Sequence, residues 1–181
     1  MNGYVYLFLG LAWVAWCLPF ILAKGSKTPA KLDRRARWGI LIQALSFSLL
    51  WQGHFWERRP EPWKIAASVL LFGIANLLCW TGTRNLGRQW RLDAGLNEDH
   101  KLIRSGPYRF IRHPIYASML GMLLGTGLIT VPRPLLLFAA GIFIAGTEIR
   151  IRIEDGLLAA RFGEEARAYQ RSVPAYIPMV R

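Results

Sequence analysis

Long apolar runs alternate with short charged segments along the 181-residue chain. A helix needs about 20 apolar residues to cross a bilayer, and residues 3–23, 38–56 and 65–83 each approach that length. Two shorter apolar runs follow at residues 114–130 and 134–147. The pattern predicts an all-α, polytopic transmembrane bundle of about five membrane helices. The last two form a helical hairpin that either crosses the membrane or re-enters it.

The segments between and after these runs are polar. Residues 84–113 are rich in Gly, Arg and Asp and contain no spanning run, and the amphipathic tail from residue 148 predicts a helix over residues 149–171. We therefore divide the chain into residues 1–83, with three transmembrane helices, and residues 84–181. The second part holds the polar segment, the hairpin and a C-terminal cap and helix, and the two parts form a single integrated domain.

The excess of basic residues indicates how the protein is oriented in the membrane. The 23 Lys and Arg against 11 Asp and Glu give a net charge of +12. In a soluble protein this would indicate nucleic acid, but here the basic residues lie between apolar runs, which favours membrane lipids and no nucleic acid. Nineteen of them fall on one side of the predicted topology. The sequence thus predicts an integral multi-pass protein of a bacterial inner membrane or endoplasmic-reticulum-type membrane, with the N-terminus outside and the C-terminus cytoplasmic.

Metal ligation is not expected from the cysteines and histidines. Cys17 and Cys79 lie inside apolar runs, where they act as small apolar side chains. Neither they nor His54 and His100 show the spacing of metal ligands. We predict no metal site.

Two groups of polar residues are candidates for chemistry. In the first, Arg112 and His113 stand directly before Pro114, which suits the first turn of a helix, and a helix start favours an anionic ligand group. Tyr108 and Tyr116 add aromatic faces with hydroxyl groups. The alternative for this group is simple anchoring of a helix at the lipid head groups.

The second group follows the last apolar run. Arg150 and Glu154 are four residues apart and share one helical face. They are either a surface ion pair or a guanidinium that orients a nucleophile beside a carboxylate. Ionisable groups at membrane depth are expensive, which favours a function.

Both groups carry a family resemblance. The segment HKLIRSGPYRFIRHPIY at 100–116 resembles the signature of the isoprenylcysteine carboxyl methyltransferase and phospholipid methyltransferase superfamily. The tail EDGLLAARFGEE at 154–165, the VP pair at 173–174 and LGRQW at 86–90 are also similar to that family. The resemblance covers about residues 84–178. It implies an all-helical membrane bundle with a cytoplasmic cap over S-adenosylmethionine, and a lipid substrate that enters from within the bilayer.

The resemblance also assigns roles to residues. It implies that Arg150 and Glu154 are catalytic, with Arg150 facing the substrate, and that residues 84–181 form the cofactor-binding methyltransferase region. The residues implied to bind the cofactor are His100, Lys101, Leu102, Ile103, Tyr108, His113, Pro114, Ile115, Tyr116 and Glu154. Members that act on prenylcysteine carry a basic residue before the VP pair, where this chain has Ser172. The acceptor is therefore not fixed as prenylcysteine.

We thus expect methyl transfer from S-adenosylmethionine to a carboxylate or amine of a lipid-like amphiphile at the cytoplasmic membrane face. A carboxylate is already ionised at neutral pH and needs only a cation such as Arg150, whereas an amine needs a proton acceptor such as Glu154 or Asp155. The alternatives are an NADPH-dependent sterol-reductase-like membrane enzyme and a non-catalytic membrane scaffold. The oligomeric state is open.

Overall fold

The computed structural model describes residues 3–23, 31–52, 55–57 and 59–177. Within these residues the chain is an all-α bundle, as predicted. The helices are α1 (Gly3–Leu22), α2 (Ala36–Ser48), α3 (Pro62–Leu86), α4 (Pro114–Thr130), α5 (Arg133–Phe162) and α6 (Glu164–Ser172). Short 3-10 turns cover Leu49–Trp51, Phe55–Glu57, Gly87–Gln89 and Gly106–Arg109. Two short strands, β1 (Lys31–Leu32) and β2 (Gly95–Leu96), pair antiparallel, with Lys31 opposite Leu96.

Among the described residues, three helices, α1, α3 and α5, are long and apolar enough to cross a membrane, and the apolar α4 has 17 residues. Helix α2 is shorter than the predicted run 38–56. It ends at Ser48, continues as a 3-10 turn to Trp51 and gives way to extended backbone at Gln52. The three spans and α4 make this a polytopic membrane bundle.

The predicted hairpin is present, and residues 149–171 are helical as predicted apart from Gly163, but they belong to two helices instead of one. Helix α4 ends at Thr130 and α5 begins at Arg133 after Pro132, whose backbone is extended. Helix α5 does not stop where the apolar run ends at Thr147, because no proline or positive-φ glycine follows there. It continues to Phe162, and Gly163, with φ 57°, turns the chain into α6. The predicted helix 149–171 is therefore the end of α5 followed by α6.

Small residues bring α2 and α5 together. A Cβ atom added at Gly39 would lie 2.4 Å from Arg150 Cγ and 2.6 Å from the carbonyl oxygen of Gly146. Glycines allow such close approach of helix backbones in membranes. The stem of Arg150 therefore occupies the space that a side chain at position 39 would fill.

The C-terminal segment covers the start of α4. The backbone N–H groups of Arg112 and His113 donate to the carbonyl oxygens of Pro174 (2.9 Å) and Ala175 (2.7 Å). The Tyr169 hydroxyl on α6 donates to the carbonyl oxygen of Tyr108 at 2.5 Å. Helix α6 and the residues after it thus form a cap that fixes the segment leading into α4.

Candidate functional site

A cavity of about 490 Å³ lies between the start of α4, the second half of α5 and the segment that joins α3 to α4. Ionisable side chains from α4 and α5 line one part of it. Apolar side chains line another part, among them Trp16 and Phe20 of α1, Ile40 of α2 and Met119 of α4. Its volume is within the range of small-molecule sites, and its mixed lining suits a ligand with a polar head and an apolar body.

Arg150 lies at the polar part of the cavity with only 5% of its surface exposed. Its Nη2 donates to Glu154 Oε1 at 3.3 Å and to the carbonyl oxygen of Leu92 at 2.6 Å. The guanidinium also lies 5.1 Å from the centre of the Tyr116 ring, and the Tyr116 hydroxyl donates to Glu154. Arg150, Glu154 and Tyr116 thus form one connected group rather than a surface ion pair.

His113 lies between two carboxylates of α5. Its Nδ1 is 3.6 Å from Glu154 Oε2, and its Nε2 is 3.1 Å from Asp155 Oδ1. Asp155 also accepts from Arg112, at 3.1 Å. Consecutive residues on a helix point about 100° apart, so neighbouring carboxylates can reach opposite sides of one imidazole. The start of α4 is thereby fastened to α5.

The structure brings almost all of the predicted site residues to this cavity. The residues that line it are His100, Lys101, Leu102, Ile103, Tyr108, His113, Ile115, Tyr116, Arg150 and Glu154. Pro114 is not among the lining residues. It begins α4 and faces Gly82 of α3, where an added Cβ would lie 3.4 Å from the Pro114 ring. The individual roles of these residues remain predictions.

Several buried polar atoms around the cavity have no hydrogen-bond partner among the described residues. They are Gln43 Oε1, His100 Nδ1, Arg112 Nε and Arg150 Nε. Buried polar atoms are normally satisfied, so these four atoms are candidate contacts for a polar ligand. Burial lowers the pKa of His100, which keeps the imidazole neutral near pH 7, and burial raises the pKa of the Tyr108 hydroxyl. Both side chains can therefore act as neutral hydrogen-bonding groups.

Sequence reasoning missed the part of the lining that α1 and α2 contribute. Trp16, Phe20 and Ile40 look like ordinary apolar span residues, so nothing in the sequence marks them. Gln43 could have been identified from the sequence, because it is a polar residue inside an apolar run. Such residues usually face the interior of a helix bundle.

Metal-ligating side chains do not cluster in the part of the chain that the structure describes. No group of three or more His, Cys, Asp or Glu there could hold a metal ion. His54 lies outside the described residues. Cys17 and Cys79 are free thiols.

Comparison with known proteins gives a family and several relatives. The family described as phospholipid methyltransferase matches residues 63–165. The cobalt-zinc-cadmium resistance protein CzcN of Cupriavidus metallidurans is 32% identical over 78% of this chain and 62% of its own length. The nickel-cobalt-cadmium resistance protein NccN of Alcaligenes xylosoxydans is 28% identical over the same shares, so this chain spans under two thirds of both. The protein-S-isoprenylcysteine O-methyltransferase of Schizosaccharomyces pombe is 30% identical over 46% of this chain and 36% of its own length.

Proposed function

This chain belongs to the phospholipid methyltransferase family, and we propose that it transfers a methyl group from S-adenosylmethionine to a carboxylate or amine of a lipid-like amphiphile at the cytoplasmic membrane face. The single observation that carries the proposal is the connected group of buried Arg150 and Tyr116 with partly buried Glu154 and His113, at a cavity with an apolar part. The likeness to a protein-S-isoprenylcysteine O-methyltransferase supports the reaction type.

The lining residues fit S-adenosylmethionine. When bound, this cofactor supplies a methyl group activated on a sulfonium centre. The start of α4 offers a helix N-terminus for its carboxylate, with the unpartnered Arg112 Nε close to the same turn. His100 Nδ1 offers a neutral polar contact. We assign His100–Ile103, Tyr108, His113, Ile115 and Tyr116 to cofactor binding, with Glu154 beside them and Pro114 setting the course of α4.

Arg150 is proposed to orient the methyl acceptor. Its Nη2 is held by Leu92 and Glu154, and no described residue accepts a hydrogen bond from its Nε, so the guanidinium is fixed while one donor stays available. A carboxylate acceptor would need nothing more than this cation, because it is ionised at neutral pH. An amine acceptor would lose its proton to Glu154 or Asp155. Alignment and exclusion of water supply the remaining rate enhancement.

The length of α5 supports a site at the membrane boundary. Thirty residues span about 45 Å at 1.5 Å per residue, against about 30 Å of hydrocarbon. Arg150 comes 17 residues after Arg133, about 26 Å along the helix, which is close to the far boundary. The distribution of Lys and Arg favours the cytoplasm for that side, with the N-terminus outside. Four of those residues, Lys24, Lys27, Arg58 and Arg181, lie outside the described residues.

The two regions inferred from the sequence act together in this proposal. Residues 84–181 supply the polar groups, and α1 and α2 supply apolar lining, which supports a single integrated domain. The names of two relatives concern metal resistance, and the proposed reaction involves no metal.

The test is Arg150→Ala in the full chain, reconstituted in lipid nanodiscs. We expect methyl transfer from labelled S-adenosylmethionine to an extract of membrane lipids to be lost, while binding of S-adenosylmethionine is retained. Arg152→Ala is the matched control, because Arg152 is on the same helix with 81% of its side chain exposed. Normal turnover in Arg150→Ala contradicts the assigned role. Binding of NADPH in place of S-adenosylmethionine would support a sterol-reductase-like enzyme, and binding of neither would support a scaffold.

A further inference from the structure

Gln43 is a buried polar residue that the proposed reaction does not yet use. It lies on α2 with 2% of its surface exposed, and it lines the cavity. Its Nε2 donates to Thr147 Oγ1 on α5 at 2.8 Å, whereas its Oε1 is buried and has no hydrogen-bond partner in the part of the chain that the structure describes. In an apolar membrane environment an unsatisfied carbonyl group costs several kcal/mol. The side chain is therefore held by its amide nitrogen and keeps an acceptor free.

The position of Gln43 relative to Arg150 follows from the helix crossing. Thr147, its partner, comes three residues before Arg150, about 4.5 Å along α5. Gly39, one turn before Gln43 on α2, lies against the stem of Arg150. Gln43 and Arg150 therefore both lie where α2 crosses α5. Of the two side chains, Gln43 lies closer to the apolar middle of α5.

We propose that Gln43 is a specificity residue whose Oε1 accepts a hydrogen bond from an N–H or O–H group of the acceptor amphiphile. This inference rests on the proposed function. If Arg150 orients the group that is methylated, the N–H or O–H group that donates to Gln43 lies next to the methylated group, on the side of the acyl chain. A carbonyl oxygen can only accept, so an ester oxygen at the same place would leave Oε1 unpaired. Sites built around such a buried polar group reject analogues that lack its partner.

The experiment compares matched probes that differ by one N–H group. One pair has a carboxylate head, N-palmitoylglycine and O-palmitoylglycolate. The other has an amine head, N-(2-aminoethyl)palmitamide and 2-aminoethyl palmitate. Affinity for the full chain in nanodiscs is read from tryptophan fluorescence, because Trp16 and Trp90 line the cavity. In at least one pair we expect the wild-type chain to bind the amide about tenfold more tightly than the ester.

Three variants assign the preference to one atom. Gln43→Met has a similar length and no acceptor oxygen, so it should bind amide and ester equally. Gln43→Glu keeps an acceptor oxygen and should keep the preference. Gln52→Met is the matched control, because Gln52 is an exposed glutamine that follows the same helix and donates to the carbonyl oxygen of Ser48. A purely structural role for Gln43 would lower the thermal midpoint without changing the ratio of the two affinities.

Four results would overturn the assignment. Two concern the wild-type chain, which would bind both members of each pair equally or would bind none of the four probes. The other two are an amide preference that survives in Gln43→Met and an amide preference that disappears in Gln43→Glu. S-adenosylmethionine binding is measured on the same samples, and its absence from the wild-type chain counts against the proposed function rather than against Gln43.

Discussion

Replacing Gly39 with alanine should disable the site although no residue assigned to chemistry is replaced. The added methyl group would lie 2.4 Å from Arg150 Cγ, and carbon atoms in ordinary contact are about 3.5 Å apart. The Arg150 stem must therefore move by about 1 Å. The Gly146 carbonyl oxygen, 2.6 Å away, is backbone and can yield only if α2 and α5 separate. A misplacement of about 1 Å can cost about 100-fold in rate, so we expect kcat to fall by about that factor.

The stability change should be smaller than the activity change. Overpacking typically costs about 1–3 kcal/mol, and alanine offsets about 1 kcal/mol of this through its higher helix propensity. At about 2–4 °C per kcal/mol, the thermal midpoint should fall by no more than about 8 °C. The assay is turnover with labelled S-adenosylmethionine beside thermal unfolding.

Alanine substitutions at two further glycines distinguish displacement of Arg150 from a general loss of stability. At Gly125 an added Cβ would lie 2.7 Å from the Phe72 ring, away from the cavity lining, so Gly125→Ala should lower stability but keep kcat. At Gly141 an added Cβ meets nothing within 4 Å, so Gly141→Ala should behave like the wild type. Wild-type kcat in Gly39→Ala, or an equal loss in Gly125→Ala, would refute the argument that position 39 reserves space for Arg150.

Two other predictions concern the polar lining. Tyr116→Phe keeps the ring near Arg150 but removes the hydroxyl that donates to Glu154, so kcat/KM should fall about tenfold, and an unchanged value would show that this hydrogen bond is dispensable. Burial lowers the pKa of His100 below its ordinary value of 6.5. The His100 imidazole therefore takes up a proton more readily in the unfolded chain than in the folded chain. His100 therefore reduces stability as the pH falls below 6.5, and His100→Gln should flatten the fall in thermal midpoint measured from about pH 8 to about pH 5.5. Parallel profiles for the two chains would contradict this.

The sequence predicted what local chemistry controls. Helix α4 begins at Pro114 and ends at Thr130, as expected, because a proline opens it and the Val-Pro pair after it closes it. The start of the tail helix was misjudged, because a change from apolar to charged residues at Thr147 looks like a boundary although the backbone has no reason to break there. Gly163 marks the true end through its positive φ.

The contribution of α1 and α2 to the cavity could not be predicted in the same way. The packing of α2 on α5 depends on which glycines meet, and a single sequence does not say that Gly39 faces Gly146. Without that pairing, nothing places Gln43 beside Thr147 or Trp16 beside the polar segment. The family resemblance reached only residues that follow position 84, so the apolar part of the site depended on the three-dimensional structure.

The continuity of α5 explains how a charged group is assembled at a membrane boundary. One rigid helix carries Arg150, Glu154 and Asp155, so their relative directions are set by helical geometry and not by a flexible loop. Each carboxylate then meets a cation or a ring nitrogen, Glu154 with Arg150 and Asp155 with Arg112, while His113 lies between them. Buried charges are tolerated only when they are paired in this way. Among the residues that the structure describes, Arg150 Nε and Gln43 Oε1 have no hydrogen-bond partner, and we propose that these two atoms hold the methyl acceptor.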